Sequence, residues 1–261
     1  MRTSKVRFPN DRGIELTASL DLPASAEPHA YAVFAHCFTC HRNYRFIRQI
    51  ARALTQSGFG VLRLDFMGLG ESGGRFEDSN FSSNVGDVRA AANFLATHHR
   101  APALLIGHSL GGTAMLAAAP HFRSVKAVAI INSPSAPAHV LSQLAGVENT
   151  VASSGEARVE IGGLSYLITA QLVEDLRAQH PAIDIAELDA ALLLLHAPDD
   201  RTVDFDHAQR LYAAARHPKS LVALPGADHL LSRETDALYV AAMIATWSTA
   251  YLGADECEAS A

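Results

Sequence analysis

The chain has 261 residues, 49% of them apolar and 18% charged, which excludes a disordered segment and suits one domain with a single core. A formal net charge of −6 without a dense lysine and arginine cluster leaves no electrostatic footprint for nucleic acid. Apolar runs such as 127–131 and 190–195 are far too short to span a bilayer, so no membrane partner is expected.

The predicted elements begin with alternating polar and apolar residues at 5–8 and 14–22 around a turn at 9–13, the pattern of an antiparallel hairpin. Then the texture changes. Apolar runs at 31–35, 60–65, 103–106 and 125–131 predict buried strands, with helices near 44–57, 82–98 and 109–119 between them. Strands separated by helices imply right-handed crossovers and a mostly parallel, twisted sheet with helices on both faces. The interval 134–190 breaks the rhythm. Runs at 158–161 and 164–168 flank Gly162-Gly163 as a hairpin, and a helix near 170–179 follows. This interval reads as a small cap over the carboxyl edge of the sheet, where ligands bind in open α/β folds. Strands at 192–195 and 220–224 and helices over 205–216 and 235–252 resume the rhythm. One domain thus spans 1–261, with a flexible tail expected over 253–261.

The strongest signal is Gly107-His108-Ser109-Leu110-Gly111-Gly112, a G-x-S-x-G pattern between an apolar run and an alanine-rich helix. A sharp strand-to-helix turn strains the serine, so its neighbours must lack side chains, and Gly107 and Gly111 meet that need. Ser109 then projects at the amino end of a helix, where the dipole favours developing negative charge. Serine is a poor nucleophile and needs a base oriented by a carboxylate. His229 is the only histidine after the final predicted strand, and Asp200 follows the strand before it. Both lie past carboxyl ends of strands, on the edge that carries Ser109, in the order Ser, Asp, His. Asp200 is preferred for the acid and Asp199 is the fallback. Asp228 reads as an exposed loop charge.

Acyl transfer also needs donors for an oxyanion. The backbone N–H of Leu110 is one, and that of Phe38, in the loop after strand 31–35, is the other. In that loop His36 reads as a loop-shaping residue and Cys37 as part of the pocket, with His108 filling the variable position of the elbow. His196 reads as a packing residue. Cys37-Phe38-Thr39-Cys40 is a C-x-x-C pattern whose favoured reading is two small buried thiols, with a redox pair as the alternative. With Cys257 as the third cysteine there is no disulfide framework and no second pair to bind a metal. Arg42, Arg45, Arg48 and Arg52 recur at helical spacing and read as a solvated face. The glycine-rich stretch 65–74 lacks the lysine of a phosphate loop and reads as a structural loop beside the pocket.

The stretches 36–40, 65–72, 80–85, 107–112, 214–220 and 226–231 resemble α/β-hydrolases of one bacterial group, often fused to or accompanying an OsmC-type peroxide-reducing protein. The resemblance implies the α/β-hydrolase fold from about residue 6 to 252. It gives Ser109, Asp200 and His229 the catalytic roles and Phe38 and Leu110 the oxyanion roles, and implies functional association with an OsmC-type protein. The chain departs from the fused arrangement, since it leaves no room for a second domain. The expected activity is hydrolysis of esters with small to medium acyl chains. Thioesterase, peptidase or perhydrolase chemistry would use the same residues, and a redox-sensing or binding module using Cys37 and Cys40 is the reading from another class. No cofactor is implied. The N-terminus shows no signal-peptide core, so a cytoplasmic location is expected.

Overall fold

The computed structural model describes residues 1–144, 146–178 and 185–253. Strands β1 (Arg2–Pro9) and β2 (Glu15–Leu22) form the antiparallel hairpin, in register from Arg2 opposite Leu22 to Pro9 opposite Glu15. Asn10 closes its turn by accepting from the Arg12 and Ile14 backbone N–H groups, each at 3.0 Å. The chain then alternates through β3 (Ala30–Ala35), α1 (Arg45–Gln56), β4 (Phe59–Leu64), α2 (Phe81–His98), β5 (Leu104–His108), α3 (Leu110–Ala118) and β6 (Ala127–Ile131). After the cap come β9 (Ala191–His196), α7 (Asp206–Ala214), β10 (Lys219–Ala223) and α8 (Glu234–Leu252). The eight strands line up as β1-β2-β4-β3-β5-β6-β9-β10, antiparallel through β4 and parallel from β4 onward.

Strands β3, β4, β5, β6 and β9 are buried at every residue, which is why they read as unbroken apolar runs. One face packs on α1 and α8, through Ile47, Ile50, Leu54, Val240 and Ile244. The other packs on α2, α3 and α7, through Val88, Leu95, Met115 and Leu211, and continues into the cap. Each such side chain contributes about 1.5–3 kcal/mol on leaving water. The start of α2 is fixed by a reciprocal cap: Asn80 accepts from the Ser83 N–H, and Ser83 Oγ accepts from the Asn80 N–H.

The cap contains α4 (His139–Gln143), α5 (Val147–Ser154), β7 (Glu156–Ile161), β8 (Leu164–Thr169) and α6 (Ala170–Ala178). The hairpin β7–β8 turns at Gly162 and Gly163, both at positive φ, as a Gly-Gly turn requires. Neither α4 nor α5 is predicted from sequence; they are too short to display a helical period. The last residue of the predicted helix 170–179 and the tail beyond Gly253 lie outside the described residues.

Arg42 corrects one expectation. It precedes α1, is buried, and donates to both Asp65 and Glu71, while Asp65 also accepts from the Arg42 backbone N–H at 2.6 Å. This buried pair braces the 65–74 loop against the loop after β3. Arg45, Arg48 and Arg52 do lie exposed on α1.

Candidate active site

Ser109 stands between β5 and α3 at φ 52 and ψ −128. A left-handed serine costs of order 1–3 kcal/mol, so the surroundings must impose it. They do: a Cβ at Gly107 would collide with Gly112, and one at Gly111 with the carbonyl oxygens of Ala35 and His36. The turn can therefore close only with glycine at both places. Leu110 is the first residue of α3, so its N–H has no partner within the helix.

His229 and Ser109 line the same cavity of about 700 Å³. His229 Nδ1 donates to Asp200 Oδ2 at 2.7 Å, and Asp200 Oδ1 accepts from the Thr202 and Val203 N–H groups at 2.8 and 3.0 Å. Burial works against the charge on Asp200 and is the largest single influence. The hydrogen bond and charge of His229, with the two backbone donors, together outweigh it and hold the carboxyl below its usual range. Asp199, the fallback, points instead into the cavity and is exposed. Asp228 is exposed and caps the following turn by accepting from the Ser232 N–H at 2.7 Å.

Cys37 and Phe38 also line the cavity. The expectation of two free thiols is overturned: Cys37 and Cys40 form a disulfide, their Cα atoms 5.2 Å apart. The loop is held further by Cys40 N–H to Cys37 O at 3.2 Å and by Tyr166 Oη to Thr39 O at 3.1 Å. His36 is a brace and does not reach the cavity. Its Nδ1–H donates to Cys37 O at 2.8 Å, and its Nε2 accepts from the Phe66 N–H at 3.2 Å. Burial pulls this imidazole down to about 4, against the opposing bond to Cys37. His108 is also fully buried and lies behind His229, outside the cavity. His196 packs on Phe205 and hydrogen-bonds the Val203 carbonyl at 2.8 Å. The 65–74 loop does not line this cavity; it packs behind the β3–α1 loop through Phe66 and Leu69.

The cap hairpin adds apolar lining through Ile161, Leu164 and Tyr166, alongside Tyr44 and Leu230. Among the described residues no three histidine, cysteine or acidic side chains are placed to hold a metal, and no helix is long and apolar enough to cross a membrane.

Sequence reasoning passed over three strained positions. Among the described residues the non-glycine positive φ values belong to Thr39, Ser109, Asn132 and Leu231. All four stand at the carboxyl edge: in the β3–α1 loop, at the elbow, just past β6, and two residues after His229. Backbone strain collected in this way marks a functional edge. Only Asn132 offered a signal, as a residue tolerant of left-handed backbone at the end of a strand.

A family model described as serine aminopeptidase, S33, matches residues 26–161, just over half of the chain. The chain belongs to this α/β-hydrolase family. The esterase domain of a Rhodothermus marinus protein is 42% identical to the hydrolase, covers 97% of this chain and 100% of its own, and superposes with a TM-score of 0.78. The monoacylglycerol lipase of Mycolicibacterium smegmatis is 25% identical over 95% of this chain and 98% of its own length. The uncharacterized protein YfhR of Salmonella typhi is 27% identical over 68% of this chain, which spans 57% of that relative's length. The hydrolase is thus a serine α/β-hydrolase similar to esterases and lipases.

Proposed function

We propose that the hydrolase cleaves carboxylic esters of small to medium acyl chains through an acyl-enzyme on Ser109. The observation that carries this reading is the Asp200–His229 hydrogen bond at 2.7 Å, opening on the cavity that also holds the strained serine. With its Nδ1 proton committed to Asp200, His229 presents a lone pair at Nε2. That lone pair takes the Ser109 proton as Oγ attacks the ester carbonyl, and the resulting imidazolium returns it to the leaving alkoxide. Water then attacks the acyl-enzyme by the same route, releasing the acid and restoring Ser109. The backbone N–H groups of Phe38 and Leu110 receive the oxyanion, and the cap hairpin supplies an apolar wall for the acyl chain.

Ser109→Ala should abolish turnover of p-nitrophenyl esters and labelling by a fluorophosphonate; undiminished turnover defeats the assignment. A panel varying acyl length and leaving group (ester, thioester, amide, peracid) ranks the ester reading against thioesterase, peptidase and perhydrolase chemistry.

The disulfide favours a second reading, redox sensing at the same site. Cys37 and Cys40 flank Phe38, so the bond between them constrains the loop that would supply one oxyanion donor.

A further inference from the structure

The side chains around His229 serve its ring, but two others grip its main chain. The His229 carbonyl oxygen accepts from His108 Nε2 at 2.7 Å and from Asn132 Nδ2 at 3.0 Å. Asn132 reaches further. Its Nδ2 also approaches the Asp228 carbonyl at 3.3 Å, its Oδ1 accepts from the Ala197 N–H at 2.9 Å, and its own N–H donates to the Leu195 carbonyl at 2.9 Å. One fully buried side chain at the end of β6 thus ties the loop carrying His229 to the loop carrying Asp200. It does so from a left-handed backbone, φ 46, the conformation that aims the amide between the two loops.

His108 is a costly residue where it stands. A carbonyl only accepts, so Nε2 carries the proton and Nδ1 keeps a bare lone pair. That Nδ1 is buried and has no hydrogen-bond partner, while the ring packs between Phe46 and His229 at centroid distances of 4.7 and 4.8 Å. An unpartnered buried nitrogen destabilises a fold, and an apolar side chain would avoid it. Burial, first, and the neighbouring His229 charge keep this imidazole neutral by lowering it to about 3. What histidine supplies here, and phenylalanine lacks, is the N–H to the His229 carbonyl.

We propose that His108 and Asn132 are positioning residues: together they clamp the His229 main chain so that its imidazole stays between Asp200 and Ser109. The inference rests on His229 being the general base. Two variants each remove one donor, and a third puts one back. His108→Phe deletes the N–H while keeping the ring, and His108→Gln restores an N–H at nearly the same reach. Asn132→Gly removes the side chain without backbone strain, since glycine accepts positive φ.

The test measures kcat/KM for p-nitrophenyl acetate, the rate of Ser109 labelling by a fluorophosphonate, and the melting temperature. His108→Phe and Asn132→Gly should each lose roughly ten- to a hundredfold in both rates, as expected when a reacting group drifts by a fraction of an ångström. His108→Gln should recover to within about threefold in rate. Parental rates in both donor-less variants would overturn the clamp. So would a rate loss in His108→Phe that tracks a lost melting temperature and is not rescued by glutamine. If His108→Phe does not fold, Asn132→Gly and His108→Gln decide alone. His229→Ala separates the two layers of argument. Retained turnover there removes the base assignment and the clamp with it, whereas lost turnover beside unaffected clamp variants removes only the clamp.

Discussion

Replacing Asp200 by asparagine changes one atom and should silence the site. Asp200 Oδ1 is committed to the N–H groups of Thr202 and Val203, and Oδ2 lies 2.7 Å from His229 Nδ1. The asparagine oxygen keeps the two backbone donors, so its NH2 group faces Nδ1. The imidazole must then offer a lone pair at Nδ1 and move its proton to Nε2, where it can no longer accept one from Ser109. The variant also lacks the charge that stabilises the imidazolium. At 2.7 Å and an effective dielectric of about 20, that attraction has a ceiling of about 6 kcal/mol, or about four decades in rate. The carboxylate is buried and the imidazole nearly so, so solvent screening removes little of it. We expect kcat for p-nitrophenyl acetate to fall about a thousand- to ten-thousandfold. Asp199→Asn, which alters an exposed carboxylate at the cavity wall, should stay within about twofold of the parent. Circular dichroism is the check that both variants are folded. The reasoning is refuted if folded Asp200→Asn retains a tenth of parental activity, or if Asp199→Asn is the more damaging change.

Two further outcomes follow from groups outside that pair. Asp87, buried on α2, accepts from Asn10 Nδ2 and the Met67 N–H, each at 2.8 Å, yet burial outweighs both bonds and raises its pKa from 3.8 to about 6. Because the folded value exceeds the unfolded one, the stabilisation from its protonated form is complete below about pH 3.8 and is lost as pH rises through about 6, a change of about 3 kcal/mol. Asp87→Asn should cancel this slope, so urea unfolding of variant and parent should diverge by that amount between about pH 4 and pH 7; parallel curves would refute it. For the redox reading, a dithiol reductant that opens Cys37–Cys40 should lower kcat/KM roughly two- to tenfold, less than full loss of an oxyanion donor because His36 and Tyr166 still brace the loop. Cys40→Ser should be slow from the start and indifferent to the reductant, and a parent insensitive to reduction would end that reading.

What the sequence made legible was whatever one segment needs for itself. The buried strands β3, β4, β5, β6 and β9 read as apolar runs because both of their faces are covered. The elbow read clearly because Gly107 and Gly111 answer a steric demand made within a few residues and by the adjoining strand end. The Gly162-Gly163 hairpin read for the same reason. The helices α4 and α5 did not, since five and eight residues are too few to show a period.

The misreadings share a different cause. Arg42 looked like one more arginine on a helix face, and only the fold brings Asp65 and Glu71, 23 and 29 residues away, around its guanidinium. The preference for Asp200 over its neighbour Asp199 was no misreading, but its physical cause lies in the fold: the Thr202 and Val203 N–H groups hold Asp200 while it meets the imidazole. The cysteine spacing was visible, but whether the thiols bond depends on how the β3–α1 loop closes. Asn132 carries the point furthest. Its partners lie 65, 96 and 97 residues along the chain, and His108 meets His229 across 121. No periodicity encodes such links. They exist because parallel strands deliver their carboxyl ends to one edge, where a side chain from β6 can hold the exits of two other strands together. The same topology that scatters these residues in the chain therefore lets so few polar side chains fix so much of the site, and mutations there should act through geometry before they act through stability.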